Sequence, residues 1–208
     1  VQLIEEPIAA AIGAGLPISE ATGSMIVDIG GGTTEIAVMS LGGVVFSKSL
    51  RIAGDAMDGA IINYMRKKFN LLIGESTAEK IKKEIGTAIP TTNNIFLMKG
   101  RDIRTGTPKE ISLTEEDACE ALMPILNQML AAIKEALEST PPELSADLVD
   151  MGLVLTGGGA LLKNIDKLIS KDTGLPVTIA DNPLECVATG TGKALENEEI
   201  FSTMLSEY

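Results

Sequence analysis

VDIGGGTTEIAV, residues 27–38, places an acid and three consecutive glycines between two apolar runs. The apolar alternation on either side predicts two strands, Ser24–Ile29 and Thr34–Leu41, joined by a tight glycine turn. A Gly-Gly pair then predicts a two-residue hairpin turn into a third strand, Val44–Ile52. The stretch therefore predicts a β-meander whose first turn carries a carboxylate, Asp28, at its entrance.

Composition limits what such a chain can do. It has 208 residues, 45% of them hydrophobic, which is enough for one large or two small globular domains. A net charge of -12 argues against a nucleic-acid partner. The absence of histidine excludes histidine catalysis and histidine metal ligands. Two cysteines suit a reducing cytosol, with small buried thiols as the simplest interpretation.

A second run of three glycines, Gly157–Gly159, directly follows a predicted buried strand and precedes a predicted helix that begins at Ala160. Glycine lets a backbone approach a ligand closely, and a helix N-terminus favours anions. At the start of the chain, a short strand leads into a helix opened by Glu6 and Pro7. Because ligands collect at the carboxyl ends of strands in open α/β sheets, Glu6, Asp28 and both glycine runs are expected to face one crevice.

The middle of the chain, residues 51–113, is more charged and irregular than its flanks and is interpreted as an insertion. Asp55 is predicted to cap its first helix, and Ser76–Glu79 spells a capping box for its second. A hairpin is expected around the turn-rich segment Arg104–Pro108.

The last part of the chain is predicted to begin with a long helix capped by Thr114 and kinked at Pro124. The Pro141-Pro142 pair predicts a loop, and a helix is expected to start at Asn182 and to continue to a helical chain end.

Each of these features also has a simpler explanation. A run of glycines can be a tight turn only, Asp28 can cap that turn, and Glu6 can be an acid that matches a helix dipole. Glu79 is fully explained by the capping box, and Lys82 with its neighbour can be a solvated face. Neither glycine run has the spacing of a Walker A loop or of a dinucleotide-binding fingerprint.

Four segments together resemble a known superfamily: EEPIAAAIGAG at 5–15, DIGGGTTEIAV at 28–38, AEKIKKEIG at 78–86 and LTGGGALL at 155–162. They are similar to the ATPases that include actin, sugar kinases and heat-shock chaperones. RIAGDAMD at 51–58 makes the chain resemble the bacterial MreB family of actin-like rod-shape proteins. The similarity runs over the whole chain but corresponds to the second half of such a protein, whose first half is expected to precede Val1.

The resemblance implies specific roles for the residues that match its motifs. Asp28 resembles the aspartate that orders the water shell of Mg²⁺, and Glu6 stands where a carboxylate orients the attacking water. Thr33 is grouped with Glu6 as catalytic. The loop around the β- and γ-phosphates is matched by Gly30, Gly31, Gly32 and Thr33. The ribose and adenine stretch is matched by Glu79, Lys80, Ile81 and Lys82, and the adenosine loop by Gly157, Gly158, Gly159 and Ala160.

The implied fold is an α/β, ribonuclease-H-like actin-type ATPase domain with a mixed sheet flanked by helices. Residues 1–50 and 114–182 would form the large subdomain, and 51–113 a smaller α+β subdomain that contacts the next subunit of a filament. Residues 183–208 would form a helical segment that returns to the first half.

The implied function is an ATP-binding, filament-forming cytoskeletal protein that determines rod shape, with ATP or ADP and Mg²⁺ as cofactors. It would lie in the cytoplasm at the inner face of the cell membrane, and the first half would make the membrane contact. Its partners would be further copies of itself and cell-wall elongation proteins, including RodZ-like membrane proteins. A metabolic kinase, a chaperone ATPase and a purely structural domain remain alternatives at this stage.

Overall fold

The computed structural model describes residues 2–201 and 204–207. The strands are β1 (Gln2–Ile4), β2 (Ser24–Ile29), β3 (Thr34–Ser40), β4 (Gly43–Leu50), β5 (Leu71–Leu72), β6 (Ile95–Asp102), β7 (Pro108–Thr114), β8 (Leu153–Thr156), β9 (Val177–Ile179) and β10 (Leu205–Glu207). The helices are α1 (Glu6–Ala14), α2 (Gly54–Phe69), α3 (Glu75–Ile85), α4 (Glu115–Glu138), α5 (Pro142–Met151), α6 (Ile165–Thr173), α7 (Cys186–Glu196) and α8 (Glu198–Phe201). A short 3-10 helix, Gly158–Leu161, follows β8.

A five-stranded mixed sheet in the order β4-β3-β2-β8-β9 forms the centre of the molecule. The predicted meander supplies the three antiparallel strands, while β8 and β9 run parallel to β2. The pairing of β2 with β8 places Asp28 opposite Thr156, so that the two glycine runs leave the sheet side by side. The mixed α/β architecture expected from the sequence is confirmed.

Helices cover both faces of this sheet because side chains alternate along its strands. Ile26 belongs to an apolar cluster with α1 and α7, whereas the adjacent Val27 belongs to the larger cluster that contains α4 and α6. α1 is buried from Pro7 to Ile12, as expected for a helix enclosed between a sheet and another helix.

Two glycines allow the backbones of α1 and α7 to come into direct contact. A Cβ atom added at Gly190 would lie 1.7 Å from the carbonyl oxygen of Ala9, and one at Gly13 would lie 1.8 Å from that of Cys186. No side chain fits at either position. The first helix, which carries Glu6, is therefore held directly against α7.

We predict that Gly190→Ala will lower the free energy of unfolding by about 2–3 kcal/mol, because two backbones must separate to admit the methyl group. Gly192→Ala is the matched control in the same helix, since a Cβ there meets no atom within 4 Å. It should raise stability by about 0.5–1 kcal/mol through helix propensity. Urea unfolding of both variants measures the difference, and equal effects would show that the helix contact is not tight.

The inserted segment forms its own three-stranded antiparallel sheet, in the order β5-β6-β7, with α2 and α3 packed beside it. The predicted hairpin is β6 and β7, and the two-residue strand β5 was not predicted. The apolar side chains of the segment, such as Met57 and Ile81, belong to the same continuous core as Val27. The proposed division into subdomains stays an interpretation.

A loop contact also joins the segment to the residues just before α6. Thr87 forms a β-bridge with Lys163, and the side-chain amide of Asn164 donates to the Thr87 hydroxyl at 3.2 Å and to the Ile89 carbonyl at 2.9 Å.

Helix caps were predicted with mixed success. Thr114 caps α4 through a reciprocal capping box with Asp117, as its sequence predicts. Asp55 is not a cap: α2 begins at Gly54, and Asp55 lies inside its first turn. The capping box at Ser76–Glu79 is also wrong, because α3 begins one residue before Ser76, and Glu79 instead pairs with Lys83 at 2.6 Å.

Other expectations require correction near the end of the chain. The pair Pro141-Pro142 starts α5 rather than a longer loop, since proline suits the first turn of a helix. A 3-10 turn replaces the first turn of the helix expected at Ala160, and its last residue, Leu161, is 56% exposed. The helix expected at Asn182 begins at Cys186. Residues 205–207 form β10, paired with β1, where a helical end was expected.

None of the helices in the described ranges is long and apolar enough to cross a bilayer.

Candidate functional site

A cleft of about 1040 Å³ lies at the carboxyl ends of β2 and β8, between the central sheet and the inserted segment. The predicted site residues that line it are Glu6, Asp28, Gly30, Gly31, Glu79, Lys82, Gly157, Gly158 and Gly159. These residues come from four separate parts of the sequence. Their convergence on one cleft is the geometry that the strand-end argument predicts.

Asp28 is the buried carboxylate of the cleft. It is the second-last residue of β2, with only 5% of its surface exposed. Burial, together with the negative charges of Glu6 and Glu35, raises its pKa from an ordinary 3.8 to about 6. A carboxylate in this position favours a nearby cation, because a cation would offset both the burial and the like charges.

The second glycine run fits closely around this carboxylate. A Cβ atom added at Gly157 would lie 2.3 Å from Asp28 Oδ1, and Gly157 has a φ of 79°. A Cβ atom at Gly159 would lie 2.2 Å from Ile29 Cγ2. Gly157 thus satisfies a left-handed conformation and a close approach at once. Gly158 differs, because a Cβ there would meet only the end of the Leu184 side chain, at 3.1 Å.

The glycine runs offer donors to an anion. The amides of Gly31, Gly32, Gly158 and Gly159 take no part in hydrogen bonds among the residues that the structure describes. Those of Gly30 and Gly157 are used internally, by Thr33 and Pro183. Free amides on two adjoining turns form an anion-binding surface.

The charges that line the cleft disfavour a negatively charged ligand that binds without a cation. The cleft is lined by six carboxylates and three lysines, namely Glu6, Asp28, Asp55, Asp58, Glu75, Glu79, Lys82, Lys83 and Lys163. A polyphosphate alone would meet net negative charge. A divalent cation held near Asp28 would reduce that repulsion.

Asp28 therefore fits a magnesium site of the kind expected, in which the protein contributes one carboxylate and water supplies other ligands. Within the described residues no group of three or more acidic or cysteine side chains is arranged to hold a metal by itself. A cation at Asp28 would thus depend on its phosphate ligand.

Glu6 reaches the same cleft from a different sheet. It follows the carboxyl end of β1, as expected, but β1 pairs with β10 and not with a strand of the central sheet. The α1–α7 contact brings Glu6 to the cleft. Glu6 is exposed to the cleft and influences Asp28 electrostatically.

Five predicted residues do not line the cleft: Gly32, Thr33, Lys80, Ile81 and Ala160. The Thr33 carbonyl accepts from the Gly30 amide at 2.9 Å and so shapes the turn. Ile81 and Ala160 are buried. Lys80 points elsewhere, with its amine 5.8 Å from the centre of the Phe96 ring. The binding roles assigned to these residues stay predictions.

Sequence reasoning missed several residues of the cleft. Asp58 forms an ion pair with Lys82 at 2.9 Å, and Leu184 covers the second glycine run. Asp58 stands three residues after Asp55, on the same face of α2, and this spacing is the signal that was available. Leu184, 70% exposed, has no comparable signal.

The chain matches the MreB/Mbl protein family over residues 1–203. It belongs to the MreB/Mbl family. It is 57% identical over 197 residues to the cell shape-determining protein MreB of Escherichia coli, covering 94% of this chain and 57% of that protein. It is 48% identical over 198 residues to the cell shape-determining protein Mbl of Bacillus subtilis, covering 95% of the chain and 60% of Mbl. The chain thus spans a little over half the length of these MreB/Mbl relatives.

Solved structures of the family agree with this fold. MreB5 of Spiroplasma citri bound to ADP superposes with a TM-score of 0.91 at 40% identity, over 94% of this chain and 60% of that one. The AMPPNP-bound form of MreB5 gives 0.90. A MamK double helical filament, at 22% identity and a TM-score of 0.76, shares the fold. The actin-type fold expected from the sequence is confirmed.

The raised pKa of Asp28 makes stability depend on pH. Because the folded protein holds this proton more tightly than the unfolded chain, ionisation of Asp28 destabilises the fold as pH rises from about 4 to about 6. Because solvent at the cleft screens part of this effect, the free energy of unfolding of Asp28→Asn should rise by about 1–2 kcal/mol relative to that of the parent between about pH 4 and about pH 6. Urea unfolding across pH, without nucleotide or Mg²⁺, measures this gain. A pH-independent difference between parent and variant would contradict it.

Proposed function

We propose that this chain forms the nucleotide-binding part of an actin-like, filament-forming protein that determines cell shape and hydrolyses ATP with Mg²⁺. The observation that carries the proposal is the cleft in which two glycine turns with free amides flank the buried carboxylate of Asp28. The similarity to MreB and Mbl proteins, which are named for cell-shape determination, supports the same conclusion. It also disfavours a metabolic kinase or a chaperone.

Different residues of the cleft serve nucleotide binding and catalysis. Free amides of the two glycine runs hold phosphate oxygens, as in other anion sites built from turns. Bound at Asp28, Mg²⁺ would neutralise charge on the phosphates. Glu6, the first residue of α1, orients the attacking water. Phosphoryl transfer to water needs positioning and charge neutralisation rather than a covalent nucleophile.

Assembly and location follow from the family rather than from the cleft. We propose self-assembly into filaments, a cytoplasmic location at the inner membrane face, and contact with cell-wall elongation proteins, including RodZ-like membrane proteins. Membrane contact would come from sequence outside residues 1–208. The inserted segment would contact the next subunit, and residues 183–208 would contact the rest of the protein.

By itself the chain should bind ATP weakly and hydrolyse it little, because it represents a little over half of an MreB or Mbl protein. Catalysis of this kind depends on a preorganised site that excludes water. Turnover is therefore best measured on a chimera in which this chain replaces the segment of Escherichia coli MreB that it matches.

In that chimera, Glu6→Ala should slow ATP hydrolysis by about 10²–10⁴-fold while nucleotide affinity stays close to the parental value. A carboxylate that orients water contributes mainly in the transition state, so kcat falls and binding survives. Asp28→Asn should behave differently and lose Mg²⁺-dependent affinity. Phosphate release and calorimetric binding on the same preparations separate the two roles. Parental turnover in Glu6→Ala would leave Glu6 as a helix-terminus acid only.

Gly158→Val tests whether the second glycine run contacts the nucleotide. Gly158 has no positive φ, and an added side chain meets only the movable end of Leu184, so folding should change little. Nucleotide affinity should fall by at least about tenfold, since the branched side chain occupies the space above the turn. Gly74→Ala, in open space at the start of α3, is the control. Normal ATP affinity with a collapsed melting temperature would make the run a structural turn.

A further inference from the structure

The glycine turn at residues 30–33, called the phosphate loop from here on, is hydrogen-bonded to the inserted segment at the first turn of α2. The amide of Gly54 donates to the Gly30 carbonyl at 3.1 Å, and the amide of Asp55 donates to the Gly31 carbonyl at 2.8 Å. The first amides of a helix have no partner within the helix. Here their partners are the carbonyls of the glycine run, so a displacement of that run must act on α2.

A lysine from α3 also contacts this turn. The Lys82 amine donates to the Gly54 carbonyl at 3.0 Å and to Asp58 Oδ2 at 2.9 Å. A Cβ atom at Gly54 would lie 3.3 Å from the Gly30 carbonyl oxygen and 3.5 Å from the Lys82 amine. The absence of a side chain at Gly54 therefore lets loop, helix and amine meet at one point.

The ion pair itself is poorly suited to a purely stabilising role. The side chains of Asp58 and Lys82 are only 15% and 17% exposed, and Asp58 Oδ1 is buried without a hydrogen-bond partner. Burial raises the pKa of Asp58, and the nearby Lys82 only partly offsets this. Buried pairs with unsatisfied atoms contribute little net stability. Their value lies in fixing geometry.

We propose that Asp58 is a positioning residue that acts through Lys82. The pair fastens α3 to the first turn of α2, and that turn is fastened to Gly30 and Gly31. A change at the phosphate loop, as between a nucleoside triphosphate and a diphosphate, is thereby passed to both helices of the inserted segment. The inference rests on the proposed function and adds to it the route by which the bound nucleotide influences this segment.

Thermodynamic linkage allows this coupling to be tested in two ways, through the response of the segment to nucleotide and through nucleotide affinity. If the nucleotide changes the segment through the Asp58–Lys82 pair, breaking the pair must change nucleotide affinity by the same coupling factor. A merely structural pair would change the unfolding free energy without changing how α3 responds to nucleotide.

Hydrogen exchange on the chimera with Escherichia coli MreB, in the presence of millimolar Mg·ADP or Mg·AMPPNP, provides the test. The chimera without further substitution is the parent. In the parent, nucleotide should slow exchange at residues 28–33, 54–58 and 75–85. In Asp58→Asn, protection at 28–33 should remain, while the nucleotide-dependent protection of 75–85 should fall by about fivefold or more. Lys82→Met, which keeps the length of the side chain, should give the same loss, and the double variant should add nothing further.

Glu110→Gln is the matched control. It removes an exposed ion pair with Lys99, of 3.6 Å, in the same inserted segment but away from the cleft, and should respond like the parent.

An undiminished response of residues 75–85 in Asp58→Asn would overturn the inference. So would a parent in which residues 28–33 respond to nucleotide and 75–85 do not. A parent in which no segment responds to either nucleotide would overturn the proposed function together with it, so the two failures can be told apart.

Discussion

The parallel pairing of β2 with β8 is the constraint on which the rest of the site depends. It places Asp28 opposite Thr156 and so makes both glycine runs begin at the same edge of the sheet. The close approach of Gly157 to the Asp28 carboxylate is possible only because Gly157 has no side chain. One strand pair thus creates a buried carboxylate with free amides on both sides. The fold tolerates the electrostatic cost of this carboxylate, as functional sites commonly do.

Glycine serves the same purpose at three other places in the molecule. Gly13 and Gly190 bring α1 against α7, and Gly54 brings the phosphate loop against α2. At Gly13 and Gly190 the two backbones approach more closely than a methyl group would permit, and at Gly54 a Cβ atom would make a tight contact, 3.3 Å from the Gly30 carbonyl oxygen. The structure therefore sets the relative positions of Glu6 and Asp28 through backbone contacts, whereas Lys82 reaches the Gly54 carbonyl with its side-chain amine.

Much of this could be predicted from the sequence because the relevant signals are local. The strand Ser24–Ile29 was predicted with its observed bounds, and the Thr114 cap follows from a motif within four residues. The cleft was predicted from a general rule about strand ends. Where a local motif competed with tertiary contacts, the prediction failed. Glu79 matches a capping box, yet α3 begins before Ser76 and Glu79 pairs with Lys83 instead.

What could not be predicted depends on contacts between distant parts of the chain. The Asp58–Lys82 pair joins residues 24 positions apart on different helices, and no periodicity in the sequence predicts it. The route of Glu6 into the cleft is similar: its strand lies outside the central sheet, and the contact of α1 with α7 depends on two glycines that are 177 residues apart in number, Gly13 and Gly190.

These long-range contacts act on different parts of the site. One, the contact of α1 with α7, fixes the position of Glu6, the residue proposed to orient the attacking water. The other, through Gly54 and Lys82, joins the loop to the inserted segment. Both meet at the carboxyl edge of β2, so a change in the charge bound beside Asp28 acts on both helices' contacts at once. A cleft built in this way is suited to coupling a chemical step to a change of shape, because a displacement of the loop acts on its backbone hydrogen bonds with Gly54 and Asp55.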